Sequence, residues 1–218
     1  GTGTMDLLAF EKNIIKELKK ILLDSFVIID FVFSNIGTAI IKAISLPDIP
    51  KHEPALSNKK VYAVFTSDLH VGSKHFLNDE FVSFINWLNN KEKDLNIVKR
   101  IKYLIIAGDS VDGIGVYPGQ EHDLIELNLK NQYKKLAELL KMLHSSIEIL
   151  IIPGNHDPVI QSLPQPPIPK KYANDLYCMK NVTMLGNPVY VRLHGVNVLI
   201  YHGRSLDDVI AKTPGLSF

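Results

Sequence analysis

Four short polar clusters in the sequence each follow an apolar run and carry residue types that bind metal ions. They are "SDLH" at 67–70, "GDSVDG" at 108–113, "GNHD" at 154–157 and "YHG" at 201–203. Carboxylate, amide and imidazole groups together suit Mn²⁺, Fe²⁺ or Zn²⁺, whereas an all-oxygen set would suit Mg²⁺ or Ca²⁺. The sequence therefore indicates a site for divalent metal, with the candidate ligands Asp68, His70, Asp109, Asn155 and His202.

Asp109 is the candidate for a ligand that two ions share. Two divalent ions about 3.5–4 Å apart need a bridging anion, and a carboxylate is the usual choice. Asp109 follows the middle one of the first three apolar runs. We therefore expect it to lie between the ligands contributed by the other clusters.

The residues after position 60 alternate between strand and helix patterns. Strands are predicted at "VYAVFTS", "YLIIAG" and "EILIIPG", with helices over 76–90 and 122–144. Continuous apolar strands of this kind belong to a sheet that is covered on both faces. The carboxyl ends of such strands meet at one rim, so the clusters can converge there although they span 135 residues. Glycines in three of the clusters would allow the sharp exits that this rim requires: Gly108, Gly154 and Gly203.

Later strands are predicted at "VTML", "VYVRLHG" and "VNVLIYHG", with a hairpin turn at "HGVN" and a short helix near 205–212. These patterns add an antiparallel extension to the alternating strands and helices. The predicted fold class is therefore α/β.

Each polar cluster also has an ordinary structural explanation. Asp-x-His is common where a turn aspartate stands beside a loop histidine, and "GDSVDG" resembles a turn with capping aspartates. "GNHD" could be a loop whose Asn tolerates left-handed geometry. The occurrence of all four clusters at successive strand ends favours the metal site over these separate explanations.

The first 60 residues follow a different pattern. Apolar positions over 6–23 recur at helical spacing, and "SFVIIDFVF" and "TAIIKAISL" are typical of two strands around the turn "SNIG". A helix and two strands cannot close a sheet of their own, so residues 1–46 are the tail of a preceding domain or a packed appendage. Three prolines in the segment that follows predict a linker over 47–60.

Composition limits the possible partners and location. The 218 residues carry 24 Lys and Arg against 23 Asp and Glu, so no overall basic field indicates a nucleic-acid partner, and any DNA contact would need a local patch. The single cysteine, Cys178, excludes an internal disulfide and favours a cytoplasmic location. The most apolar stretch is interrupted by Asp24, Asp30 and Lys42, so we expect no membrane segment.

The motifs D-x-H, GD-x-x-D, GNHD and a later H-G resemble those of the calcineurin-like metallophosphoesterases over about 61–203. The segments "GDSVDGIGVYPGQ", "LPQPPIPKKYANDLY" and "YHGRSLDDVIAKTPGLS" are similar to the small subunits of archaeal family D DNA polymerases, and that similarity covers about 45–218. The resemblance implies a calcineurin-like metallophosphoesterase sandwich, truncated at the C-terminus, over 61–218. It also implies that 1–46 is the tail of an OB-fold domain.

The resemblance also implies ligand roles. Asp68 and His70 would bind the first ion, and Asn155 and His202 would bind the second. Asp109 would bridge the two ions, which are expected to be Mn²⁺, with Mg²⁺, Fe²⁺ or Zn²⁺ as alternatives.

The neighbouring residues receive catalytic roles by the same resemblance. His156 matches the general acid that protonates the leaving oxygen, and Asp157 would orient its ring. Asp112 matches a supporting position rather than a ligand. The family also supplies one more histidine to each metal from a G-H-x-H segment, which these 218 residues do not contain. We therefore expect that these 218 residues are part of a longer chain and that they bind metal weakly by themselves.

The function implied is a 3′→5′ exonuclease that acts on DNA and proofreads for the large catalytic subunit of a family D polymerase. The implied location is the cytoplasm, in association with the nucleoid. Two alternatives stay open. One is a different metal-dependent phosphoesterase built on the same ligands. The other is a scaffold subunit without catalysis, since related non-catalytic subunits of eukaryotic polymerases keep the fold while losing the ligands.

Overall fold

The structure is a computed structural model that describes residues 5–21, 25–48, 53, 55–89 and 95–213. The chain divides into two compact units. One comprises Gly1–Glu53 together with Gly203–Phe218, and the other comprises Pro54–His202. No helix in the described part of the chain is both long and apolar enough to span a bilayer.

The smaller unit contains a three-stranded sheet in the order β1-β3-β2. Its elements are β1 (Leu7–Leu8), α1 (Lys12–Leu18), β2 (Ile28–Phe33) and β3 (Ala39–Ser45). The hairpin of β2 and β3 around "SNIG" is confirmed, since these strands pair antiparallel. The helix Ser205–Lys212, which the sequence predicted, also belongs to this unit.

The predicted helix over 6–23 is wrong at its start. Leu7 and Leu8 pair in parallel with Ala39 and Ile40 of β3, so their backbone is extended. Helical spacing of apolar residues did not distinguish the two cases, because strand pairing with a distant segment overrides local preference. Positions 22 and 23 of the predicted helix lie outside the described residues.

The larger unit is built on a four-stranded parallel sheet in the order β4-β5-β6-β7. The strands are β4 (Tyr62–Thr66), β5 (Ile101–Ala107), β6 (Glu148–Ile152) and β7 (Val182–Met184). All four were predicted, and the α/β fold class is confirmed. The parallel order places the carboxyl ends of β4, β5 and β6 side by side, which is the rim that carries the first three polar clusters.

The helices of this unit are α2 (Asn78–Asn89), α3 (Leu95–Val98), α4 (Leu129–Leu140) and α5 (Lys170–Tyr177). The predicted helix over 122–144 is wrong at its start, because Gln120–His122 forms a separate 3₁₀ turn and α4 begins only after Asn128. The Asn128 side chain accepts hydrogen bonds from the backbone N–H groups of Lys130 and Asn131, which caps the helix there.

The two faces of the parallel sheet are covered by different layers. Leu104 and Ile106 of β5 lie in a core with buried residues of α2 and α4, whereas Ile105 packs on the opposite face with Ile200. Ile200 belongs to the antiparallel hairpin of β8 (Val189–Leu193) and β9 (Val196–Ile200), which was predicted and is confirmed. His202 follows β9, so it approaches the rim from the hairpin layer.

Candidate metal centre

The structure brings all five candidate ligands together at the rim. His202 Nε2 lies 3.3 Å from Asp109 Oδ2 and 3.1 Å from Asn155 Oδ1. His70 Nε2 lies 3.9 Å from Asp68 Oδ1 and 4.0 Å from Asp109 Oδ2. The carboxylate of Asp109 therefore occupies the centre of the cluster.

Among the residues that the structure describes, two groups of side chains have their ligand atoms within 4.8 Å of one another, and both groups contain Asp109. One group joins Asp109 to His70 and His156, and the other joins it to Asp68 and His202. A carboxylate common to two groups is the arrangement expected of a bridging ligand. His156 was assigned to acid catalysis from the sequence, so its place in a possible metal group gives it a second candidate role.

The backbone is left-handed at three of the candidate ligands. Among the described non-glycine residues, φ is positive at only four positions, and these include Asp68 at 55°, His70 at 51° and Asp109 at 49°. Such geometry costs about 1–3 kcal/mol per residue and concentrates at functional sites. Hydrogen bonds between the two loops hold it in place, from Asp68 N to Gly108 O at 3.1 Å and from His70 N to Asp109 O at 3.1 Å.

Each histidine of the cluster has its Nδ1 bonded to an oxygen acceptor. His202 Nδ1 donates to the Ala107 carbonyl at 2.9 Å, and His156 Nδ1 donates to the Asp112 carbonyl at 2.7 Å. His70 Nδ1 donates to Asp112 Oδ1 at 2.8 Å. In a neutral ring these bonds leave the lone pair on Nε2. Metal-binding histidines have this arrangement, because the outer hydrogen bond fixes the tautomer and the ring orientation.

Asp109 is buried, with 3% of its surface exposed, and its Oδ1 accepts a hydrogen bond from His156 N at 2.8 Å. Burial acts to raise its pKa, but the hydrogen bonds from His202 and His156 and their charges outweigh burial and hold the pKa below 3.8. The Asp109 carboxylate in turn outweighs the effect of burial on His202 and raises the pKa of that ring to about 9. At neutral pH the metal-free centre therefore holds an ionised carboxylate paired with a protonated His202, and a cation that binds there would displace the proton on Nε2.

The donor set fits a divalent transition metal. Imidazole nitrogens, carboxylate oxygens and an amide oxygen meet within a few ångströms, and this mixture suits Mn²⁺, Fe²⁺ or Zn²⁺ better than Ca²⁺. Asp68 is the most open of the carboxylates, because 56% of its side chain is exposed. The cluster is therefore accessible to solvent and to a bound molecule from the Asp68 side.

Asp157 has a different role from the one expected. Its Oδ1 accepts hydrogen bonds from Ser110 Oγ at 2.9 Å and Tyr133 OH at 2.5 Å, and its Oδ2 accepts one from Gly154 N at 2.8 Å. These bonds direct the carboxylate into the core, and burial, which outweighs them, raises its pKa. The expectation that Asp157 orients the His156 ring is wrong, because the Asp112 carbonyl occupies His156 Nδ1.

Replacement of Tyr133 by phenylalanine is expected to lower the free energy of unfolding by about 1–3 kcal/mol, because the buried Asp157 carboxylate would lose a hydroxyl donor. Urea denaturation of the variant and the wild type measures this difference. Tyr190→Phe is the matched control, since Tyr190 is 76% exposed. An equal effect of the two substitutions would contradict the interpretation of Asp157 as a buried structural acceptor.

Gly154 is required for close approach rather than for a sharp turn. A Cβ atom at this position would overlap Asp109 Oδ1 and lie 2.6 Å from Asp109 N. Gly108 does have the expected left-handed backbone, with φ of 97°. The glycine of the "GNHD" cluster therefore allows the β6 loop to contact the central carboxylate directly.

The substitution Gly154→Ala is expected to destabilise the protein by about 1–3 kcal/mol, the usual cost of overpacking, and to weaken Mn²⁺ binding by displacing Asp109. Thermal unfolding and titration with Mn²⁺ measure the two effects. Gly195→Ala adds the same methyl group in the hairpin turn, where nothing lies within 4 Å. Because φ there is 89°, this control is expected to strain the backbone but to leave Mn²⁺ binding unchanged. Unaltered Mn²⁺ binding by the Gly154 variant would refute the prediction.

A buried polar network positions the main chain of His202. Asn187 Oδ1 accepts a hydrogen bond from His202 N at 3.1 Å, and Asn187 Nδ2 donates to Gln165 Oε1 at 2.6 Å. Gln165 Nε2 donates to Gly154 O at 3.3 Å, which connects this network to the β6 loop. Sequence reasoning missed these and other buried residues whose polar side chains support the centre: Ser110, Gln120, Tyr133, Gln165 and Asn187. Three of them had a signal, since Ser110 lies in "GDSVDG", and Gln120 and Gln165 lie in the distinctive stretches "YPGQ" and "LPQPPIPKKYANDLY".

A cavity of about 390 Å³ adjoins the cluster on the Asp68 side. Its lining includes Asp68, Leu69, Leu77 and the aromatic residues Phe65 and Phe81. Phe65 is 53% exposed and Leu77 is 66% exposed, so apolar surface faces solvent next to the candidate ligands.

Residues 63–216 match the family model that describes the B subunits of DNA polymerases alpha and epsilon. The chain is 47% identical over 209 residues to the DNA polymerase II small subunit of Pyrococcus horikoshii, covering 93% of this chain and 33% of the relative. It is 42% identical over 222 residues to the protein of that name from Archaeoglobus fulgidus, covering 100% of this chain and 44% of the relative.

The chain thus spans 33% of the length of the first of these relatives and 44% of the length of the second. The resemblance to archaeal polymerase small subunits, predicted from the motifs, is confirmed by these identities. Since the family model matches most of its residues, the chain belongs to the family of DNA polymerase alpha/epsilon B subunits.

Proposed function

We propose that this chain carries the catalytic centre of the small subunit of a family D DNA polymerase, and that the centre is a two-metal 3′→5′ exonuclease. The observation that carries the proposal is the shared carboxylate: Asp109 belongs to both groups of converging ligand atoms. The histidine Nδ1 bonds to oxygen acceptors support it, since a metal site requires rings that are already oriented.

The ligand assignments come from the family resemblance, and the convergence of these side chains around Asp109 supports them. Asp68, His70, Asp109, Asn155 and His202 would hold two divalent cations, with Mn²⁺ expected. When bound, these cations would neutralise the phosphate oxygens and acidify the attacking water. The resemblance implies that further histidines of the full-length protein complete each site.

His156 would supply the proton for the leaving 3′ oxygen. Its Nδ1 is bonded to the Asp112 carbonyl, so Nε2 is the nitrogen that would hold and release that proton. The ring of His156 lies against that of His70, with 4.5 Å between the centroids, and is therefore close to the candidate ligands. Asp112 supports both rings, which agrees with its predicted role as a residue outside the ligand set.

DNA and a large catalytic subunit are the proposed partners, because the relatives are named as polymerase small subunits. The apolar cavity beside Asp68 would accommodate the nucleoside attached to the scissile phosphate. We also propose a calcineurin-like sandwich for residues 61–218, an OB-fold tail for 1–46, a linker for 47–60 and a cytoplasmic location.

Digestion of single-stranded DNA labelled at its 3′ end tests the proposed activity. In Mn²⁺, the full-length protein is expected to release labelled mononucleotides from the 3′ end, and chelation of the metal should stop the release. Rapid hydrolysis of a chromogenic phosphomonoester without digestion of DNA would indicate a different phosphoesterase. If the protein neither binds Mn²⁺ nor cleaves either substrate, the proposed activity is contradicted, and a scaffold function within a polymerase is the remaining alternative.

A further inference from the structure

One glutamine of the loop between β5 and α4 forms two hydrogen bonds with the residue that supports the histidine rings. Gln120 Nε2 donates to the Asp112 carbonyl at 2.8 Å and to Asp112 Oδ2 at 3.0 Å. Gln120 is 1% exposed, although the side chains of its neighbours Glu121 and His122 are exposed. A buried amide in an exposed turn requires a reason beyond solubility.

The two Asp112 groups that support the rings are tied to this amide. The Asp112 carbonyl accepts from both Gln120 Nε2 and His156 Nδ1. The Asp112 carboxylate accepts from Gln120 Nε2 on Oδ2 and from His70 Nδ1 on Oδ1. Asp112 is 4% exposed, so water does not replace these partners easily. A single amide group therefore reaches the acceptors of two histidines.

The orientation of the Gln120 amide is determined by its other end. Gln120 Oε1 accepts a hydrogen bond from Val116 N at 2.9 Å. A flipped amide would place two N–H donors against the Val116 donor and an oxygen against the Asp112 oxygens, which is unfavourable at both ends. The donor group of Gln120 must therefore face Asp112.

We infer that Gln120 is a positioning residue that acts through Asp112 on His70 and His156. The inference rests on the proposed function in one respect, since it assumes that the oriented rings serve a metal site. The hydrogen bonds on which the inference rests do not involve a metal ion. Without the amide, the Asp112 carboxylate loses the bond that directs Oδ1 toward His70, and the carbonyl loses one of its two donors.

Gln132 provides the matched control. It is also a fully buried glutamine, and it clamps the same loop through bonds to Gly113 N at 3.0 Å, Gly113 O at 3.1 Å and Glu126 O at 2.8 Å. These partners include neither Asp112 nor the rings. Gly113 N belongs to the same peptide unit as the Asp112 carbonyl, so loss of Gln132 is expected to affect His156 as well. A change at His70, which is bonded to the Asp112 carboxylate, should follow only from the loss of Gln120.

The experiment records the imidazole signals of the metal-free protein by long-range ¹H–¹⁵N NMR. Gln120→Met is expected to shift or broaden the Nδ1 signals of His70 and His156, and to leave the signal of His202, which is bonded to Ala107. Gln120→Glu keeps the acceptor for Val116 but removes the donor, and serves as the second variant if the first does not fold. Unchanged His70 and His156 signals in Gln120→Met, or an equal change of the His70 signal in Gln132→Met, would overturn the inference.

Titration with Mn²⁺ alone adds a second measurement. A residue that orients metal ligands without touching the ion typically changes metal affinity by about 10–100-fold, and for Gln120→Met we expect a loss of about 10-fold. Absence of Mn²⁺ binding by the wild type would contradict the proposed function while the NMR result still decides the role of Gln120. Equal affinities of the wild type and the Gln120 variants would overturn the inference.

Discussion

Replacement of Asp109 by asparagine is expected to lower the Mn²⁺ affinity of the full-length protein by at least about 100-fold and to abolish DNA cleavage, because both candidate groups lose their common carboxylate. Asparagine preserves the size of the side chain, so the effect reports charge and coordination. Isothermal titration with Mn²⁺ and the 3′-label assay measure the two losses.

Asp79→Asn is the matched control for this substitution. Asp79 is exposed in the first turn of α2, and its replacement is expected to change neither quantity. Thermal unfolding of the metal-free proteins excludes simple misfolding of the Asp109 variant. Full Mn²⁺ affinity or retained DNA cleavage in Asp109→Asn would remove the bridging role.

The substitution His156→Ala is expected to slow DNA cleavage by about 10²–10⁴-fold, the usual contribution of a general acid. The loss should be much smaller with bis(p-nitrophenyl) phosphate, because nitrophenolate leaves without a proton. Steady-state rates on the two substrates measure this contrast. His144→Ala, a change in the exposed loop that precedes β6, is the control and should leave both rates unchanged.

The same variant decides between the two roles that the geometry allows for His156. If the ring is a general acid, Mn²⁺ affinity should be close to that of the wild type. If it is a ligand in the group with His70 and Asp109, affinity should fall and both substrates should be affected alike. The second result would contradict the acid assignment and would support a metal-binding role.

The meeting of the polar clusters at one rim of the sheet could be predicted because the sequence shows where the strands end. Apolar runs end shortly before Asp68, Asp109 and Asn155, and a parallel sheet brings those ends together. His202 was included through its position after the last apolar run, and the structure places its ring against Asp109. The α/β class and the hairpin followed from the same local patterns.

Features that depend on tertiary contacts could not be predicted in this way. The start of α4 was misplaced because the residues before Asn128 have helix-compatible types but bond elsewhere. Asp157 was assigned to His156 through the family resemblance, whereas its side-chain donors are Ser110 and Tyr133, which are remote along the chain. Proximity in sequence is a weak guide to hydrogen-bond partners among buried polar groups.

The arrival of His202 from the hairpin layer has a consequence for stability. The other ligands project from loops of the parallel sheet, so a cation held by both Asp109 and His202 would cross-link two layers. Without the cation, these layers meet through apolar contacts such as Ile105 with Ile200 and through hydrogen bonds such as that from His202 Nδ1 to the Ala107 carbonyl. A cation bound at the centre would then reduce local opening of β8 and β9. Metal loading would slow amide hydrogen exchange in the hairpin, far from the phosphate, and the fold would gain heat resistance as the cation concentration rises.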